Sequence, residues 1–171
     1  MNTQSFDRME NEVEAALTSL ETAVSNPHTL SIAGATANAV ASQQVTPSEL
    51  SWKAGVDVLC LGATKCGALC AEVVIFFNKE LAKTFTHRRK RGGHLLSKGR
   101  VFGAQMVGWL QDDHWLELAK HANTQAAKLA ETINGIDGLQ LVWPVESNEL
   151  FVVMPKGLAT HLRDAGAEFY D

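Results

Sequence analysis

One lysine stands where its amine can act as a nucleophile. Lys65 lies in Gly62-Ala63-Thr64-Lys65-Cys66-Gly67, a loop of small residues bracketed by glycines, directly after the apolar run at 56–61 (VDVLCL). Glycine lets the backbone turn sharply and come close to a ligand. A lysine that gives up solvent at the end of a buried strand loses its preference for the charged form, and the free amine can then attack an aldehyde. Spacing alone leaves a second account open, a solvated loop lysine without chemistry.

Other reactive residue types are less promising. Cys60, Cys66 and Cys70 are odd in number and contain no CxxC pair, so neither a disulfide framework nor structural zinc is expected, and a reducing compartment suits them. Cys66 reads as a small buried filler, or as an oxidation-prone thiol beside the lysine. The six histidines include no i, i+4 pair with an acid nearby, so no metal site is expected. The run His87-Arg88-Arg89-Lys90-Arg91 could neutralise phosphates but has no interleaved aromatic residue for bases to stack on. A solvated basic turn at a helix end accounts for it. Glu146 and Asn148 fall between two predicted strands, where such side chains hold turn backbone. Trp109, Trp115 and Trp143 occupy apolar positions suited to a core or a subunit interface.

The elements around these residues can be read from periodicity. Met9, Val13, Ala16, Leu17, Leu20 and Val24 form one helical stripe that ends near Asn26-Pro27. Residues 29–33 predict a short strand, Gly34-Ala35 a turn, and 36–42 a small-residue helix. Thr46-Pro47-Ser48-Glu49 has the form of a helix start, with a threonine cap and a glutamate three residues on. Residues 56–61 and 72–77 (EVVIFF) predict neighbouring strands buried on both faces. Helices follow over 95–110 and from a cap at Asp112-Asp113 to Ile133, stopped by Gly135 and Gly138. Strands at 139–143 and 150–154, a helix at 158–165 and a strand fragment at 168–170 complete the pattern.

Strands interleaved with helices predict an α/β fold. At 171 residues, 46% of them hydrophobic, the chain can bury the core of one domain or one and a half. The net charge of −4, with both signs interspersed, gives no global positive field for nucleic acid or an anionic membrane. No stretch approaches the roughly 18 apolar residues of a membrane span, and the polar, acidic first residues do not form an export signal, so a cytoplasmic protein is expected. Because the chain stops at Asp171 just as a strand begins, a longer architecture cut short is expected.

Several segments in order resemble one family. Trp52-Lys53-Ala54-Gly55-Val56-Asp57-Val58-Leu59, then Gly62-Ala63-Thr64-Lys65 with Gly67, then 72–77, is similar to the lysine-bearing stretch of the low-specificity threonine aldolases, beta-eliminating lyases that use pyridoxal 5′-phosphate (PLP). The likeness continues through 88–100 (RRKRGGHLLSKGR), His114-Trp115-Leu116 with His121-Ala122-Asn123, and Pro144-Val145-Glu146 with Asn148 and Phe151, so it covers roughly residues 30–170. It implies the aspartate-aminotransferase-like architecture known as fold type I. Residues 1–83 would be the carboxyl-terminal part of the PLP-binding large domain, and 84–171 an incomplete small α+β domain. Lys65 would hold PLP as a Schiff base with Thr64 beside it, and Lys98 or Lys90 would approach the cofactor phosphate across the interface of a homodimer or homotetramer. The implied reaction cleaves a β-hydroxy-α-amino acid, typically threonine, to glycine and an aldehyde.

The departures from that family are chemical. Its members carry aspartate-glycine-alanine-arginine where this chain has Ala33-Gly34-Ala35-Thr36. The aspartate pairs with the cofactor's ring nitrogen and the arginine clamps the substrate carboxylate. Alanine cannot stabilise a protonated ring, and threonine cannot make a two-pronged pair with a carboxylate. Cys66 stands where the family usually has asparagine. The half of the family's chain that supplies the phosphate loop and a ring-stacking histidine has no counterpart here. A truncated or active-site-depleted homologue is therefore expected, with a noncatalytic oligomerising module as the alternative.

Overall fold

The computed structural model of the protein describes residues 31–34 and 36–170, so the helical stripe expected over 9–24 lies outside the described residues. The apolar run after Asp57 becomes β2 (Val58–Gly62), the centre of a three-stranded sheet. Strand β1 (Ser31–Gly34) runs parallel to it, with Ser31 opposite Val58 and Gly34 opposite Leu61. Strand β3 (Glu72–Phe76) runs antiparallel, with Val58 opposite Phe76 and Gly62 opposite Glu72. Successive strand residues face opposite sides, so burial of both Val58 (1% exposed) and Leu59 (6%) means that β2 is covered on both faces. That expectation fails for β3, where Glu72 is exposed and the next four residues are half-buried. Among the described residues β3 pairs on one side only, as an edge strand does.

Helix α1 (Thr36–Gln43) follows β1 and packs against the long helix α5 (His114–Asn134). The contact holds a polar pair: Asn38 Nδ2 donates to Asn123 Oδ1 at 2.9 Å, and Asn123 Nδ2 returns a bond to the Asn38 carbonyl at 3.0 Å. On α5 the buried residues Trp115, Ala119, Ala126, Ala130 and Ile133 fall at helical spacing, and the alanines let α1 approach closely. The core joins Ala37, Val40, Leu59, Leu61, Ala63 and Ala71 to Trp109, Trp115 and Ala119, so it draws on both sides of residue 83.

After β3 the chain forms two short helices, α2 (Lys79–Ala82) and α3 (Phe85–Arg91), the second carrying the exposed basic run. The predicted helix over 95–110 starts later, as α4 (Gly99–Leu110), because Gly92 and Gly93 end α3 in a turn and residues 94–96 after it run as irregular chain. Beyond α5 the two predicted strands shrink to a short antiparallel hairpin, β4 (Gln140–Leu141) with β5 (Val152–Val153), before α6 (Leu158–Asp164). The strand fragment at 168–170 does not form; instead the Arg163 guanidinium lies 4.5 Å over the Phe169 ring. Trp109 and Trp115 pack at 5.5 Å in the core, whereas Trp143 is exposed in this chain.

Two expected helix starts turn out differently. At Thr46 the side-chain exchange forms, with the Thr46 N–H donating to Glu49 Oε2 at 2.8 Å and the Glu49 N–H to Thr46 Oγ1 at 3.3 Å. The chain nevertheless continues as turns and a 3-10 segment, Trp52–Ala54. The Ser51 hydroxyl donates to the Pro47 carbonyl at 2.6 Å, taking the acceptor that the Ser51 N–H would use in an α-helix. At Asp112-Asp113 neither side chain caps α5, and both residues adopt left-handed backbone (φ 53 and 58). Aspartate tolerates that conformation better than most residues, and the bend brings α4 against α5.

Three outcomes follow from this packing. Trp115→Ala should cost about 3–5 kcal/mol in urea unfolding, as large-to-small aromatic changes in cores do, and a loss well under 1 kcal/mol would show that the two tryptophans are not core. Asn123→Leu should cost about 1–3 kcal/mol because it removes both reciprocal bonds and leaves the buried Asn38 amide only its 3.4 Å bond to the Ala119 carbonyl. The third concerns Glu49, whose carboxyl is held below the usual carboxylate range first by the Thr46 side chain, then by the Thr46 backbone N–H. A pKa depressed on folding lends stability above the unfolded pKa and loses it as pH falls through the folded one. NMR titration should therefore place Glu49 below an unstructured glutamate, and Thr46→Val should move it up.

Candidate active site

The lysine turn sits where β1 and β2, the two parallel strands, both end. Gly34 pairs with Leu61, and after Gly62 the chain enters a 3-10 turn, Thr64–Cys66, with Lys65 at its centre. Ligands of open α/β sheets favour the carboxyl ends of parallel strands. Ala63, wholly buried, anchors the turn: its N–H donates to the Ala71 carbonyl at 3.0 Å, and its own carbonyl accepts from the Cys66 and Ala68 N–H groups, each at 3.0 Å. Of the two bracketing glycines, Gly67 is the one the backbone requires, with φ 105 and Leu118 close to where a Cβ would sit; at Gly62 the end of the exposed Glu72 side chain occupies that space. Past the turn, Trp109 Nε1 donates to the Cys66 carbonyl at 2.8 Å.

Lys65 itself is exposed, and among the described residues its side chain makes no hydrogen bond or ion pair. The loss of solvent expected for it is not supplied by the described residues, none of which covers the turn. Thr64 is also exposed; its hydroxyl donates to Glu72 Oε1 at 2.7 Å and keeps its lone pairs free to accept. Lys98 precedes α4 and Lys90 lies in the last turn of α3, both exposed, and no described hydrogen bond or ion pair ties either to the lysine turn.

Cys66 is half-buried, and its thiol donates to Asn38 Oδ1 at 3.9 Å. Burial first, and the Glu72 carboxylate second, push the Cys66 and Cys60 thiols up, which keeps both protonated at neutral pH. Cys66 thus serves as a filler and weak donor. Glu146 and Asn148 are exposed on the hairpin loop; Glu146 lines a cleft of about 210 Å³ with Trp143, Pro144, Ser147, Glu149 and Phe151, and Lys65 does not border it. Among the described residues no three of His, Cys, Asp and Glu gather closely enough to hold a metal ion. None of the described helices is long and apolar enough to cross a membrane.

PLP can be tested against these residues. Lys65 fits as the point of attachment, an amine on a fixed turn with no partner among the described residues. At the same sheet end, the strand register sets Ala33 opposite Cys60, and Thr36 opens α1 with a buried hydroxyl that no described residue partners. Neither residue carries a charge for a ring nitrogen or a carboxylate. Periodicity marked Trp109 as core or subunit interface but gave no sign of its bond to the lysine turn. It gave none for the bonds of Gln105 to that loop or of Asn38 to Cys66, because those partners lie at least 28 residues away in sequence.

Comparison with known proteins agrees with this geometry. The family model for beta-eliminating lyase matches residues 21–156. Over 133 residues the chain is 47% identical to the low specificity L-threonine aldolase of Pseudomonas aeruginosa, and 45% identical to that of another Pseudomonas strain. Each alignment takes in 78% of this chain and 38% of the relative, so the chain spans well under half the length of the curated relatives it matches. A solved threonine aldolase from Leishmania major superposes with a TM-score of 0.67 at 30% identity, covering 75% of this chain and 37% of that one, which bears out the α/β fold. With most of its length inside the family model, and the Lys65 turn within the matched span, this chain belongs to the beta-eliminating lyase family.

Proposed function

We propose that this chain is the lysine-bearing part of a PLP-dependent lyase of the threonine aldolase type, in which the Lys65 amine attaches the cofactor. One observation carries the reading: Lys65 is an exposed amine, with no partner among the described residues, on a turn that buried backbone pairing fixes at the ends of two parallel strands. When bound, PLP would supply the electron sink for cleaving the Cα–Cβ bond of a β-hydroxy-α-amino acid to glycine and an aldehyde.

The chain's own residues would share the remaining work. Lys65 provides the bond, and Thr64 offers an acceptor oxygen beside it. Lys98 and Lys90, on surfaces that face solvent in the single chain, are the cations proposed to approach the cofactor phosphate of another subunit in a homodimer or homotetramer. Residues 1–83 would then belong to the carboxyl-terminal part of the cofactor-binding domain and 84–171 to a small α+β domain. With Ala33 and Thr36 at the sheet end, the charges that hold a protonated ring nitrogen and a substrate carboxylate are missing, so the chain is active-site-depleted. A cytoplasmic setting suits its free thiols.

The test is absorbance followed by trapping. Purified chain mixed with PLP should develop a band near the visible edge, and borohydride should fix the label on the peptide that contains Lys65. Lys65→Ala should abolish the band while changing unfolding stability by no more than about 0.5 kcal/mol, the range for an exposed side chain without partners. An unchanged wild-type spectrum, or a label spread over other lysines, would remove Lys65 from the proposed role.

A further inference from the structure

The segment that follows Lys65 is gripped by one helix. Gln105 and Trp109 are four residues apart on α4 and so share a face. Gln105 Oε1 accepts from the Leu69 N–H at 3.0 Å and from the Cys70 N–H at 3.1 Å. Its amide nitrogen donates to the Val101 carbonyl at 3.3 Å, which fixes the orientation of the amide and aims its oxygen at the loop. Trp109, 3% exposed and tilted against Trp115, donates to the carbonyl of Cys66, the residue next to Lys65.

The loop has few other holds in this stretch. Leu69 is 84% exposed, Cys70 is exposed, and sheet pairing resumes only where Ala71 meets Ala63. We infer that Gln105 and Trp109 are positioning residues: through three bonds to loop backbone they set the direction in which Lys65 leaves its turn, and so couple the lysine to α4. The catalytic consequence of that coupling rests on the reading of Lys65 as the cofactor lysine. The mechanical part rests on the geometry alone.

The experiment uses the full chain and four variants: Gln105→Leu removes the acceptor, Gln105→Glu keeps two acceptor oxygens, Trp109→Phe keeps the buried ring without its N–H, and Leu129→Ala is a control on α5 away from the turn. Amide hydrogen exchange, read residue by residue, should speed up about tenfold at Leu69 and Cys70 in Gln105→Leu, the factor that corresponds to one ordinary hydrogen bond, and recover in Gln105→Glu. Trapping of PLP on Lys65 at subsaturating cofactor should fall about as far in Gln105→Leu and Trp109→Phe, since the same bonds hold the turn, and stay at the wild-type level in Leu129→Ala. Unchanged exchange at Leu69 and Cys70, or faster exchange with wild-type trapping, would overturn the inference. If wild-type chain is not labelled at all, the cofactor reading fails, and the exchange result with its rescue by glutamate still decides whether Gln105 fixes the loop.

Discussion

The arrangement depends on the backbone of Ala63. Its N–H closes the end of the β2–β3 ladder on Ala71, and its carbonyl receives two N–H groups from the turn that carries Lys65. Ala63 and Ala71 are both fully buried, so an unmade bond there would leave polar groups away from water, at a cost of about 1–3 kcal/mol each. That penalty makes the turn start in one place. Lys65, two residues on, inherits the constraint while its own side chain stays in solvent.

The second half of the chain fastens that turn to the sheet. Helix α1, which continues from β1, is locked to α5 by the reciprocal Asn38–Asn123 bonds, and Asn38 also accepts from the Cys66 thiol. A single side chain on the helix that follows the parallel strand thus touches both α5 and the residue after the lysine. Because α4 and α5 are joined by two left-handed aspartates, the same bend that packs Trp109 on Trp115 presents the Trp109 N–H to the Cys66 carbonyl. Segments distant in sequence therefore fix the lysine turn from one side, and no described residue covers the other.

What could be read from the sequence follows the range of the interactions. The strands at 58–62 and 72–76, the glycine-bracketed loop and α5 were legible because their signals are local: apolar runs, bracketing glycines, and apolar residues at helical spacing. The capping exchange at Thr46 and Glu49 was local too, yet the helix it announces is missing, since the hydroxyl of Ser51 competes for a backbone acceptor. Asp112 and Asp113 looked like caps because aspartate favours helix starts, and the same short polar side chain also suits left-handed backbone. The bonds of Gln105, Trp109 and Asn38 left no trace in any window of the sequence. Nor could a window show that Lys65 keeps its solvent, because that depends on whether anything covers the turn.

Positions 33 and 36 set the limit on chemistry. A cofactor ring works as an electron sink only if a neighbouring group stabilises its protonated form, and a substrate carboxylate is held in register by a forked cation; both are charge effects that small neutral side chains cannot imitate. Here the strand end offers alanine, and helix α1 opens with a threonine whose buried hydroxyl has no partner among the described residues. Asn38, which bonds the residue after the lysine, spends its amide on Asn123 and the Ala119 carbonyl and its oxygen on Cys66. The bonds described around the turn hold the Lys65 backbone in place, and under the proposed reading positions 33 and 36 would supply no charge to tune an attached cofactor. A rigid turn beside a neutral strand end would then tether an aldehyde more readily than it would stabilise negative charge developing next to it.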